Sequence, residues 1–158
     1  MSDIILSQSE RLIFMIKVCF VCHGNICRST TAEMIMRHLC DKEGLNYKID
    51  SCGTSREEIG CPVYPPSASV LRQHHIPIVN HKARQITLKD AEEFDLLVGM
   101  DTANIYNMKR MLPEKYHSKI MMLNDTSVED PWYSENYEKV YQQIYAGCVR
   151  LLDQLTKS

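Results

Sequence analysis

Two cysteines, an arginine and two hydroxyls crowd into Cys22-His23-Gly24-Asn25-Ile26-Cys27-Arg28-Ser29-Thr30, directly after an apolar run and directly before a helical pattern. The amides of a tight loop at a helix N-terminus carry the positive end of the helix dipole and favour an anion. Gly24 can turn without a Cβ in the way, and Asn25 is among the few residue types that tolerate a positive φ. The Arg28 guanidinium is a planar fork able to hold two phosphate oxygens. A Cys22 thiolate, favoured by the same field, is a nucleophile aimed at a phosphorus bound above it. Ser29 can donate a hydrogen bond to that sulfur and ease its departure in a second step.

The spacing departs from that of a nucleotide-binding loop, G-x-x-x-x-G-K-[ST], which needs a second glycine and a lysine. Other uses of the same residues stay open on this pattern alone. Cysteines commonly serve as small core groups, and Cys22, His23 and Cys27 are all metal-ligand types. A C-x4-C pair without a second pair at finger spacing is a weak zinc signal. A second constellation favours phosphate chemistry. The oxygen leaving a phosphate monoester needs a proton donor, and a loop late in the chain holds Asp130-Pro131-Trp132-Tyr133. Pro131 disfavours helical geometry at Asp130, while Trp132 and Tyr133 offer aromatic walls beside the carboxyl. By themselves these four residues read rather as an ordinary turn with a capping aspartate; their place after the last strand favours the acid.

The elements that must position these groups follow from apolar periodicity. Met15–Cys22 reads as a buried strand stopped by His23-Gly24-Asn25. Behind it, Ala32, Ile35, Met36, Leu39 and Cys40 share one helix face. Tyr47–Cys52 is a second strand, followed by an irregular stretch and a helix from about Ser67 to His75. Thr87–Phe94 suits a short helix, Asp95–Met100 a third strand, and Asp101 caps a helix reaching Met111. Lys119–Leu123 is a fourth strand, Asn124–Ser134 a polar loop, and a stripe from Tyr137 to Leu155 a long final helix. Strands alternating with helices predict a three-layer α/β fold: a central four-stranded parallel sheet, helices on both faces, and the phosphate-binding loop after the first strand. In such sheets ligands bind at the carboxyl edge, where Cys22 ends its strand and Asp130 follows the last one.

A chain of 158 residues suffices for one domain with a core. Its 18 basic and 20 acidic residues balance to −2, which disfavours nucleic acid or a membrane surface as partner. No apolar run is long enough to span a membrane. An odd count of seven cysteines suits free thiols in a reducing compartment, so a cytoplasmic location is expected. Residues 1–14 make a poor signal peptide; they read as an N-terminal extension of unknown role, not necessarily native, ahead of a single domain over residues 15–158.

With these motifs together, the chain resembles the low-molecular-weight protein tyrosine phosphatases from Met15 to Leu155. Their pattern [VI]-C-x-G-N-x-C-R-S is matched by Val21, Cys22, Gly24, Asn25, Cys27, Arg28 and Ser29, and their D-P-aromatic-Tyr by Asp130–Tyr133. His81-Lys82-Ala83-Arg84-Gln85 resembles their H-x-A-R-Q, Met100-Asp101-Thr102-Ala103-Asn104 their M-D-x-x-N, and Ser51 a serine at the end of the second strand. The resemblance implies Cys22 as nucleophile, phosphate held by Arg28 and the loop amides of residues 23–29, and Ser29 on the thiolate. It implies Asp130 as general acid and base, and Asn25, Ser51 and His81 bracing the loop. It further implies Cys27 as a reversible disulfide partner of Cys22, no metal or other cofactor, and phosphotyrosine proteins or small aryl phosphates as substrates. Inorganic phosphate or vanadate would then inhibit.

Two departures from the pattern carry expectations. Thr30 stands where the family has proline, and Thr30-x-x-Glu33 is a candidate capping box that would steady the helix start. Glu57 stands where the family usually has an aromatic pocket wall, which Tyr64 is the candidate to supply. Among rivals, an arsenate reductase of this fold would need a cysteine relay, which is missing between Cys61 and Cys148. A phosphoarginine phosphatase would carry threonine at Ile26. An inert phosphate-binding module would be expected to lose Cys22, Arg28 or Asp130.

Overall fold

In a computed structural model that describes residues 15–157, the run KVCFVC forms the central strand β1 (Lys17–Cys22). The expected extension over residues 1–14 lies outside the described residues. Alternation along β1 divides the core: Val18, Phe20 and Cys22 face one layer, Cys19 and Val21 the other. Burial on both faces explains why the strand is apolar throughout. Helix α1 (Arg28–Lys42) follows, then β2 (Lys48–Gly53), α2 (Pro65–Gln73), α3 (Leu88–Glu93) and β3 (Leu96–Gly99). Next come α4 (Thr102–Met111), a 3-10 turn (Glu114–Lys119), β4 (Ile120–Met122), the one-turn α5 (Pro131–Ser134) and α6 (Tyr137–Lys157). The strands form a four-stranded sheet in the order β2-β1-β3-β4, with every pairing parallel. Helices α1, α2 and α6 cover the Val18/Phe20 face, and α3 and α4 the Cys19/Val21 face. This is the three-layer α/β fold expected from the pattern.

Register places the site. Cys22 pairs with Gly53 and Val21 with Gly99, so the loops after β1, β2 and β3 leave one edge of the sheet together. Asp101 caps α4 through a reciprocal capping box with Asn104. Within the expected polar loop, Asp130 is extended (φ −82°, ψ 113°) and caps the α5 turn, with Pro131 in its first position. The predicted Thr30/Glu33 capping box is absent. Helix α1 begins earlier, at Arg28, without a side-chain cap. Thr30 Oγ1 instead donates to the Cys27 carbonyl at 3.0 Å, and Glu33 turns into the interior. Among the described residues no helix is long and apolar enough to cross a membrane.

Candidate active site

The loop between β1 and α1 wraps the Cys22 sulfur. The Asn25 N–H points at Sγ from 3.3 Å, and Ser29 Oγ lies 3.0 Å from it. Asn25 has the positive φ, 61°, that its residue type was expected to allow. Its side chain is locked from both ends. Oδ1 accepts from His81 Nε2 at 2.7 Å and from the Arg84 N–H at 3.1 Å. Nδ2 donates to Ser29 Oγ at 2.8 Å and to Ser51 Oγ at 3.0 Å. Because Ser29 Oγ accepts from that amide, its own proton is free for the sulfur. Ser51 Oγ donates to Glu33 Oε1 at 2.6 Å. The bonds thus run outward from Asn25, one branch ending at Cys22 and the other at Glu33. Glu33 is 1% exposed, and its charge is met by Arg37 Nε at 2.8 Å, with His81 Nδ1 3.1 Å away.

The backbone behind β2 completes the support. Thr54 and Ser55 donate their N–H groups to the carbonyls of Cys22 (2.9 Å) and His23 (3.0 Å). A Cβ at Gly53 would stand 2.6 Å from the His23 oxygen, so the strand end must be bare for the loop to lie against it. The expected role of Gly24 does not hold in that form. A Cβ there would meet Glu58 Cγ at an ordinary 3.4 Å, and the demanding backbone geometry falls on Asn25 and Gly53 instead.

Arg28, with its side chain 4% exposed, reaches the same cleft from the first turn of α1. Nη1 donates to Asp101 Oδ2 at 2.6 Å and to the Val128 carbonyl at 3.0 Å, while Nη2 lies 3.7 Å from Asp130 Oδ2. Burial works against its charge, but Cys22, Asp101 and Asp130 outweigh that and hold its pKa above the ordinary arginine value. Asp130 is itself aimed by the Trp132 N–H, which donates to Oδ1 at 3.0 Å. A cleft of about 250 Å³ has Cys22, Arg28 and the loop at its floor. Glu57 and Glu58 form one wall, Asp130, Trp132 and Tyr133 the other. Tyr64 does not take the place of the missing aromatic. It packs behind Trp132, ring centroids 5.5 Å apart, because its N–H is tied to the Ile26 carbonyl. Glu57 instead receives His23 Nε2 at 3.1 Å.

Cys27 lies at the N-cap of α1 and also lines the cleft. Burial first, then the charges of Cys22 and Asp130, push its pKa to about 12 against an opposing hydrogen bond from Ser67, so it is a neutral thiol. Glu33, Asp50 and His81 bring ligand-type atoms within 4.8 Å of one another. Their oxygens are engaged by Ser51, Arg37 and Arg84, so the group acts as a charged brace behind Asn25. A sulfur ringed by donors, a buried guanidinium and a carboxyl at the mouth can together receive a tetrahedral dianion, attack it and protonate its leaving group.

A family model described as low molecular weight phosphotyrosine protein phosphatase matches residues 17–158. The chain belongs to that family. It is 40% identical to the low molecular weight protein-tyrosine-phosphatase YfkJ of Bacillus subtilis, covering 90% of this chain and 97% of that protein. To the low molecular weight phosphotyrosine protein phosphatase of Saccharomyces cerevisiae it is 38% identical over 82% of this chain and 88% of the other. The crystal structure of YfkJ superposes with a TM-score of 0.87 at 39% identity, covering 90% and 96% of the two chains. By family the protein is an enzyme, a hydrolase of the tyrosine phosphatase class. Cys22, His23, Gly24, Ile26, Cys27, Arg28, Glu57, Asp130, Trp132 and Tyr133 all line one cleft, and Asn25, Ser29, Ser51 and His81 lie in the network beneath it. Sequence reasoning missed Glu33, Gly53 and Glu58, and saw Asp101 only as a cap. For Asp101 the M-D-x-x-N motif was a usable signal; for Glu33 there was none, since a glutamate in the first turns of a helix is ordinarily exposed.

Proposed function

We propose that this protein hydrolyses phosphotyrosine and small aryl phosphate monoesters through a phosphocysteine on Cys22. The observation that carries the reading is the one-way set of hydrogen bonds ending at the Cys22 sulfur, on the floor of a cleft that also holds Arg28 and Asp130. In the first step the thiolate attacks phosphorus while the bond from phosphorus to the aryl oxygen breaks, and the Asp130 carboxylic acid gives that oxygen its proton. Arg28 and the loop amides stabilise the equatorial oxygens as charge moves onto them. In the second step the Asp130 carboxylate takes a proton from water, which attacks phosphorus and breaks the sulfur–phosphorus bond. Ser29 and the Asn25 N–H stabilise the departing thiolate, and inorganic phosphate is released. The step needs no redox partner or metal, so phosphate and vanadate act as simple competitors for the same ring.

Residues 15–158 make up the catalytic domain in this reading. Cys19, Cys22, Cys27, Cys40, Cys52, Cys61 and Cys148 are all free, which fits a reducing, cytoplasmic setting. The test is hydrolysis of an aryl phosphate in excess chelator by the wild type and by Cys22→Ser. The variant is expected to lose turnover while still binding vanadate, because Arg28 and the amides remain. Turnover by the variant above a trace would remove Cys22 from its role.

A further inference from the structure

We infer that Glu57 and Glu58 make this enzyme select phosphotyrosines that have a basic residue next to them in the substrate chain. The inference rests on the phosphatase reading and concerns what lies beyond the phosphotyrosine ring. Once phosphate is on the floor, the ring lies between the walls and the flanking residues of the substrate pass the mouth. Among the described residues lining the cleft, the carboxylates are Glu57, Glu58 and Asp130, there is no lysine, and the one guanidinium is Arg28. Arg28 is buried at the floor, committed to Asp101 and to the phosphate site. Asp130 faces Arg28, so the charge left over at the mouth is that of Glu57 and Glu58, which no lysine or arginine lining the cleft offsets.

Both glutamates are held there. Glu57 Oε2 is 3.1 Å from His23 Nε2, and its N–H donates to Ser55 Oγ at 3.4 Å. Glu58 Oε2 accepts from the Cys61 thiol at 3.5 Å. A phosphopeptide with acidic neighbours brings like charge to this wall, whereas arginine or lysine brings the complement. The wall is solvated, so each carboxylate is worth little, roughly a 1.5- to fivefold change in affinity. The two together are expected to separate basic from acidic neighbours by about tenfold, compressed by salt.

The experiment compares phosphotyrosine peptides identical except for arginine, alanine or glutamate at the two positions flanking the phosphotyrosine. It is run at about pH 8, above the ordinary histidine range, on wild type, Glu57→Gln, Glu58→Gln and the double variant. Each protein is its own reference, because the readout is the ratio of kcat/KM between peptides. The expected order is arginine, alanine, glutamate, carried by KM rather than kcat, with the ratio shrinking stepwise to about twofold in the double variant. Raising salt should compress the wild-type ratio in the same way, a measurement that needs no variant. An indifferent wild type, a salt-independent ratio, or an unchanged ratio in the double variant would overturn the inference while leaving aryl phosphate hydrolysis intact. Absence of aryl phosphate hydrolysis by the wild type would instead overturn the phosphatase reading, and this inference with it.

Discussion

Replacing Asp101 with asparagine separates two uses of one carboxylate. Oδ1 accepts the Asn104 N–H at 2.7 Å and caps α4, while Oδ2 accepts Arg28 Nη1 at 2.6 Å. A carboxylate accepts at both oxygens; an amide has one oxygen and one donor. Asparagine can keep the cap and point its NH₂ at the guanidinium, or keep Arg28 and lose the cap. The first choice costs a charge-assisted hydrogen bond, about 1.5–3 kcal/mol; the second costs a cap, about 1 kcal/mol, and still leaves Arg28 a neutral partner in place of a charged one. Stability should therefore fall by about 1–3 kcal/mol, or roughly 2–12 °C in Tm for a chain of this size.

Activity should fall further than stability. Without Asp101, Arg28 keeps the Val128 carbonyl at 3.0 Å and has Asp130 as its nearest carboxylate, 3.7 Å away. The guanidinium is then drawn toward the group proposed to carry the proton, and its fork leaves the position proposed to hold phosphate. A displacement of about 1 Å is worth roughly 10²-fold in rate. Steady-state kcat and KM on an aryl phosphate, beside a thermal melt, check both halves. If Tm falls as expected but kcat stays within about threefold of wild type, Arg28 is held by its other contacts and Asp101 is only a cap.

Asp130→Asn should slow phosphotyrosine cleavage by roughly 10²- to 10⁴-fold but barely touch the burst from a substrate with a good leaving group; equal slowing of both bursts would show that Asp130 does not donate the proton. Cys27→Ser should recover less completely than wild type after mild peroxide and a thiol reductant, since no neighbouring thiol remains to trap oxidised Cys22; equal recovery of the two proteins removes that protective role. Asp90→Asn should cost about 2 kcal/mol at neutral pH through its lost charged bonds to Arg84, at 2.8 and 3.0 Å. The Asp90 carboxyl is buried, which alone would raise its pKa, but Arg84 and Thr87 outweigh that and lower it. Its contribution is therefore full above the unfolded value near 4 and lost as pH falls through the lower folded value, so melts of the two proteins should converge in acid. A gap that persists at about pH 2 would mean that the charge is not the cause.

The groups that line the floor of the cleft were legible because their residue types and spacing state their chemistry locally. Cys22, Arg28 and Ser29 lie within one turn of chain, and Asp130 is marked by the proline and aromatics behind it. The sheet was equally legible, since β1 and β3 are short apolar runs ended by turn residues and α6 is one unbroken stripe. The supporting residues were harder. Gly53 looked like one of several glycines in an irregular stretch; only the pairing of Cys22 with Gly53 shows that its missing Cβ makes room for the His23 carbonyl. Glu33 looked like a cap because Thr30 precedes it by three, and local pattern cannot tell that β2 brings Ser51 against that side of α1. The wall formed by Glu57 and Glu58 belongs to the same class: the missing aromatic was visible, but its replacement by paired charge rather than by Tyr64 was set by where Ile26 anchors the Tyr64 backbone.

That division has a physical reason in the direction of the hydrogen bonds. Ser29 can donate to the sulfur because its own oxygen is occupied by Asn25, and Asn25 faces that way because its Oδ1 is held by His81 and Arg84. Ser51 could in principle donate back toward Asn25, which would turn the amide around and take the Ser29 proton off the sulfur. The Arg84 N–H, which can only donate, opposes this at Oδ1, and Glu33 opposes it from the Ser51 side. Its carboxylate has no proton to offer, so Ser51 must donate to it and accept from Asn25. An acceptor fixed in the core by Arg37 thus reinforces, through Ser51, the direction in which Asn25 and Ser29 point a proton at Cys22. A neutral glutamine at Glu33 would fill the same space yet offer Ser51 a donor as well as an acceptor, leaving the direction of the amide to the contacts at Oδ1 alone.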